Sequence, residues 1–181
     1  MDSLEIQGDG TFSFSEEVAE PEIFYLYLNK KDNNDINDRI TFFGEAGNIV
    51  INTAWNTFDT NAEISGSKSH EKLLEFYEMN SKFNIKELTL VKQGTAPEML
   101  EDSVALDSIQ RLVNQNTISK YRYALNFGLN NGDSYATPYI MMTEAKEANP
   151  KYLDSIYKGL TPEVAASKYG KQFKEFLDKN N

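Results

Sequence analysis

The chain has no cysteine in its 181 residues, one histidine, one tryptophan and five prolines. Without cysteine there is no disulfide framework, no thiolate metal site and no Cys-x-x-C redox couple, so this polypeptide cannot carry out thiol-disulfide chemistry. Basic residues are also scarce: 18 Lys and Arg stand against 28 Asp and Glu, a formal charge of 18 − 28 = −10. That balance disfavours nucleic acid, because phosphate backbones are held by concentrated Lys and Arg, and it disfavours an anionic membrane surface on the same ground. Long apolar runs are missing too. Stretches such as Ile140-Met141-Met142 fall far short of the roughly 20 residues needed to cross a bilayer, so no transmembrane segment is expected. Met1-Asp2-Ser3-Leu4-Glu5 has neither a basic start nor an apolar run and does not read as an export signal.

What the chain has is core material, 40% hydrophobic and 12% aromatic. Residues 4–64 read as short strands. Thr11-Phe12-Ser13-Phe14-Ser15 alternates polar with aromatic, and Asp9-Gly10 before it suits a hairpin turn. Phe12 and Phe14 are therefore expected on one buried face. Ile23-Phe24-Tyr25-Leu26-Tyr27-Leu28, Ile40-Thr41-Phe42-Phe43, Ile49-Val50-Ile51-Asn52 and Ala62-Glu63-Ile64-Ser65-Gly66 are the next strands, bounded by turn-forming residues. The rhythm changes near Ser67. Ser67 or Ser69 caps a helix whose stripe runs through His70, Leu73, Phe76 and Tyr77. Helices are then expected from Pro97 to Val113, Thr117 to Leu129, Ser134 to Glu147 with Pro138 in the first turn, after Asn149-Pro150, and after Thr161-Pro162-Glu163. Tyr169-Gly170 separates the last of these from a terminal helix over Gln172 to Leu177. The expected fold is α+β: an antiparallel β-sandwich or curled sheet over residues 1–66, followed by a helical array over residues 67–181 packed on or beside it.

Reactive groups are few. His70, flanked by Ser67, Ser69 and Glu71, has triad-like neighbours, but residues one or two apart on a helix do not face each other, and a structural role is favoured. Asp32, Asp35 and Asp38 cluster in a polar stretch without the central glycine and terminal glutamate of a calcium loop. The glycine-containing turns carry neither a phosphate loop nor a dinucleotide fingerprint, and no catalytic residue, cofactor or metal site is assigned. Trp55, alone in a polar connection, is the best candidate for an exposed contact residue, with Tyr123 and Tyr135 as further candidates for a contact surface.

The runs Gly10-Thr11-Phe12-Ser13-Phe14, Pro21-Glu22-Ile23-Phe24-Tyr25-Leu26, Glu45-Ala46-Gly47-Asn48-Ile49-Val50-Ile51 and Ile64-Ser65-Gly66-Ser67 resemble the domain of unknown function 4369. The resemblance continues through Pro138-Tyr139 and Val164…Ser167…Tyr169-Gly170-Lys171. That domain stands in front of thioredoxin-like, TlpA/AhpC-type modules in Bacteroidetes envelope proteins. The resemblance therefore implies a periplasmic or cell-envelope location, a chain shortened at its front by one or more strands, and a thioredoxin-like module as an associate. No residue here matches that module's redox motif. The functional expectation is a non-catalytic accessory domain that binds a protein partner; a carboxylate-based hydrolase site between the two parts, or a structural spacer or homodimerisation domain, are the alternatives.

Overall fold

A computed structural model describes residues 2–6, 8–29, 39–99 and 101–180. Strands β1 (Glu22–Tyr27) and β2 (Arg39–Gly44) pair antiparallel with Ile23 opposite Phe43 and Tyr25 opposite Thr41. Side chains alternate along β1 as a two-residue period requires: Phe24 and Leu26 are half-buried, Tyr25 and Tyr27 exposed. Strands β3 (Val50–Asn52) and β4 (Glu63–Ser65) form a second antiparallel pair, joined through a short 3₁₀ turn at Trp55–Thr57. Gly66 leaves β4 at φ +90°, and a Cβ there would lie 2.2 Å from the Asn48 carbonyl oxygen, so only glycine fits.

The expected sandwich or curled sheet does not form. Among the described residues the strands make two separate two-stranded ladders, and neither closes or curls onto the other. Residues 4–6 and 11–15, expected to extend the sheet, carry no ladder, and Phe14 is 39% exposed rather than buried. The physical reason is visible at Phe43. This side chain is fully buried, but it meets Tyr139 and Tyr169 edge-on, so the inner face of β2 packs on helices where a sandwich would place a second sheet.

The switch at Ser67 is realised. Helix α1 (Lys68–Gly94) begins with the Ser67 hydroxyl accepting the His70 amide at 3.0 Å. Helix α2 (Ser103–Asn130) begins with Asp102 accepting from Val104 and Ala105. The expected break before Thr117 is absent. Asn116 turns its amide into the helix seam and donates to the Phe83 carbonyl at 2.9 Å, while Thr117 bonds back to Val113, so this polar stretch continues the helix. α1 and α2 run antiparallel as a hairpin about 40 Å long at 1.5 Å per residue.

Four shorter helices follow: α3 (Ala136–Glu144), α4 (Pro150–Lys158), α5 (Pro162–Ala166) and α6 (Lys168–Asn180). Pro138 falls in the first turn of α3, and Thr161 caps α5 ahead of Pro162, both as the sequence indicates. Tyr169-Gly170, expected as a separator, lies inside α6. A Cβ on Gly170 would stand 2.1 Å from the Val164 carbonyl oxygen, so the glycine serves close approach of α5 rather than a chain break. One core cluster joins Phe43 of β2 to Phe76, Ile140, Met141, Ile156 and Phe173 of the helices.

Candidate functional site

The candidate contact residues of the sequence sit on three different elements. Trp55 is 57% exposed in the turn between β3 and β4. Tyr123 is half-buried in the hairpin seam, its ring stacked on Phe76 at 5.4 Å and its hydroxyl donating to the Glu75 and Phe76 carbonyls. Tyr135 flanks the start of α3, half-buried against the core. Asp32, Asp35 and Asp38 lie outside the described residues.

His70 and its neighbours form a structural node at the start of α1. The Glu45 carboxylate, carried in from the end of β2, accepts from the Lys68 amide at 2.6 Å, the Ser69 amide at 3.4 Å and the Ser69 hydroxyl at 2.6 Å. An anion at a helix N-terminus satisfies orphan amides and complements the helix dipole. His70 Nδ1 accepts the Phe43 amide at 3.4 Å, and burial holds the imidazole below its ordinary pKa. The hydroxyl of Ser69 thus donates to Glu45, and the ring nitrogen of His70 takes a backbone amide. The geometry joins strand to helix and does not align a nucleophile with a base.

A second polar group, half-buried around the buried Asn80, lies where α1 meets α3. Glu144 accepts from the Tyr77 hydroxyl at 3.3 Å and from Asn80 Nδ2 at 3.1 Å. Burial first, and then the charge of Glu144, push the Tyr77 hydroxyl well above its ordinary pKa, so it remains a proton donor throughout the neutral range. Among the described residues, no three His, Asp or Glu side chains gather in an arrangement that would hold a metal ion.

The most distinctive surface is one the sequence reading missed. Near the tip of the α1–α2 hairpin an open groove of about 480 Å³ is lined by Leu90, Val91, Gly94, Leu106, Ile109 and Val113. The outer half of the hairpin also exposes large aliphatic side chains that do not line this groove, with Ile85 at 63%, Leu88 at 70% and Val104 at 75%. The hairpin thus carries exposed aliphatic side chains outside its seam. The sequence signal was available: Ile85, Leu88 and Val91 fall at three-residue steps away from the stripe of Phe76, Phe83 and Leu90.

Among the described residues no helix is long and apolar enough to cross a membrane. No curated protein and no solved structure matches the chain. Residues 1–73 match the model of a domain of unknown function, DUF4369, a match that spans the strands and the first turns of α1; the helical remainder lies outside it.

Proposed function

We propose that this chain is a non-catalytic accessory domain of the cell envelope that binds or positions a protein partner, and that the partner lays an apolar helix into the groove on the outer half of the hairpin. One observation carries this reading. An open, mainly apolar groove lies between the two helices, on a half of the hairpin that also exposes Ile85, Leu88 and Val104, and apolar surface left in water costs free energy that burial recovers. A groove between two helices suits an amphipathic helix, which fills it with side chains spaced three and four apart. The resemblance of the N-terminal segment supports the envelope setting and a thioredoxin-like module as the class of partner. Trp55, Tyr123 and Tyr135 belong to the same reading as contact residues outlying from the groove.

The test is site-specific photo-crosslinking in cells from Leu88 and Val104, with Glu175 on α6 as the control position. The captured protein is then purified and titrated against the wild type and the Leu88→Asp variant. Capture from the hairpin alone, with binding weakened about tenfold or more by the variant, supports the reading. Equal capture from Glu175, or undiminished binding, refutes it.

A further inference from the structure

Among the described residues, the β1–β2 ladder has one half of its outer β1 edge closed and the other half open. The Ile23 amide, which points away from β2, donates to the Tyr169 hydroxyl at 3.1 Å. Alternate residues of a strand send their backbone groups the same way, so Tyr25 and Tyr27 also direct theirs away from β2. Neither has a backbone partner among the described residues. Both side chains are exposed beside this edge, with the Arg39 guanidinium 5.1 Å from the centre of the Tyr25 ring. Such an edge is a template for another strand.

The chain also contains an unused strand. Thr11-Phe12-Ser13-Phe14-Ser15 alternates as a strand should, follows a turn in which Asp9 accepts from the Thr11 amide and hydroxyl, and leaves Phe14 exposed. Among the described residues none of its backbone groups bonds another segment.

We infer that this edge is occupied by residues 11–15 of a second copy of the chain, giving a strand-exchanged dimer. In its own copy the segment leads into Glu20, whose carboxylate accepts the Lys168 amide at 2.9 Å, and Tyr169 fills the place beside Ile23. A hairpin growing back from residues 16–20 meets the closed half of the edge first, whereas a strand arriving from another copy meets the open half directly. Charge agrees. The segment 2–20 carries Asp2, Glu5, Asp9, Glu16, Glu17 and Glu20 and no basic residue, and the Arg39 guanidinium of β2 reaches the Tyr25 ring beside the open half of the edge. Two-fold symmetry makes the exchange reciprocal, so each copy gives one strand and receives one.

Two variants separate the halves of the interaction. Tyr25→Pro removes an outward amide that an edge strand tolerates losing, and Ser13→Pro breaks the donated segment, which is exposed and outside the core. Analytical ultracentrifugation of the full chain is expected to show a concentration-dependent dimer. Each variant alone raises its dissociation constant at least tenfold with an unchanged unfolding midpoint, and an equimolar mixture of the two recovers a dimer through the one intact exchange. A monomer at every concentration overturns the inference. So does a dimer that survives both proline variants but is lost in Leu88→Asp, which places the contact on the hairpin instead.

Discussion

His70 Nδ1 accepts the Phe43 amide, and by that bond the first turn of α1 holds the outer edge of β2. On the far edge of the same ladder Tyr169 does the equivalent for Ile23, the residue opposite Phe43. The two amides that point out of the ladder at this level are therefore both taken by side chains from helices far away in sequence. This is how a two-stranded ladder, marginal in isolation, is held.

The His70 bond gives the protein a pH dependence of known sign. Burial lowers the folded-state pKa of His70 below the unfolded value of about 6.5, so the unfolded chain binds the proton more readily. The stabilisation is complete above pH 6.5 and is lost as pH falls from there toward the folded value. Protonation also removes the acceptor that Phe43 uses. Urea denaturation at pH 7.5 and 5.5 is expected to show a loss of stability on acidification that is smaller in His70→Gln. An identical loss in both proteins contradicts the assignment.

Glu45→Gln removes the charge from the carboxylate that receives three donors at the α1 N-terminus. Loss of a charged cap of this kind is expected to cost about 1 kcal/mol, read as a lower urea midpoint at unchanged slope. A cost below about 0.3 kcal/mol contradicts the role.

Phe76 and Phe14 give opposite expectations for one substitution. Phe76 is fully buried against Tyr123 and Phe127, and Phe76→Ala is expected to cost about 3–5 kcal/mol. Phe14 is exposed, and in dilute protein Phe14→Ala is expected to change stability by less than about 1 kcal/mol. Comparable losses in the two variants contradict the arrangement of the N-terminal segment.

Gly170→Ala sets helix propensity against packing. In an exposed helix interior alanine is favoured by about 1 kcal/mol. Here the added methyl carbon meets the Val164 and Ala165 carbonyl oxygens at 2.1 and 2.6 Å, both on backbone, so the variant is expected to be destabilised by about 2 kcal/mol. Thermal unfolding decides the sign.

These residues also show what the sequence made legible. Alternation in Phe24 to Tyr27, the Ser67 cap, and proline after Thr161 are local signals, and the elements they mark are present. Residues 11–15 carry the same alternation without a ladder, because a strand needs a partner and local pattern cannot supply one. The gap expected between Val113 and Thr117 is closed where the Asn116 amide meets a carbonyl across the hairpin. Gly170 looked like punctuation until α5 lay against it. The exposed aliphatic residues of the hairpin were not legible for a related reason: the exposure of Ile85, Leu88 and Val104 depends on which elements pack beside them among the described residues, which no single stretch of sequence records.

Hydrogen exchange along α1 and α2 in dilute protein tests most directly whether the outer half of the hairpin stands free as a contact surface. Amides of residues 70–80 and 120–128, packed on the core, are expected to exchange slowly, and those of 84–94 and 103–114 on the order of a hundredfold faster. Uniform protection along both helices contradicts a free outer half.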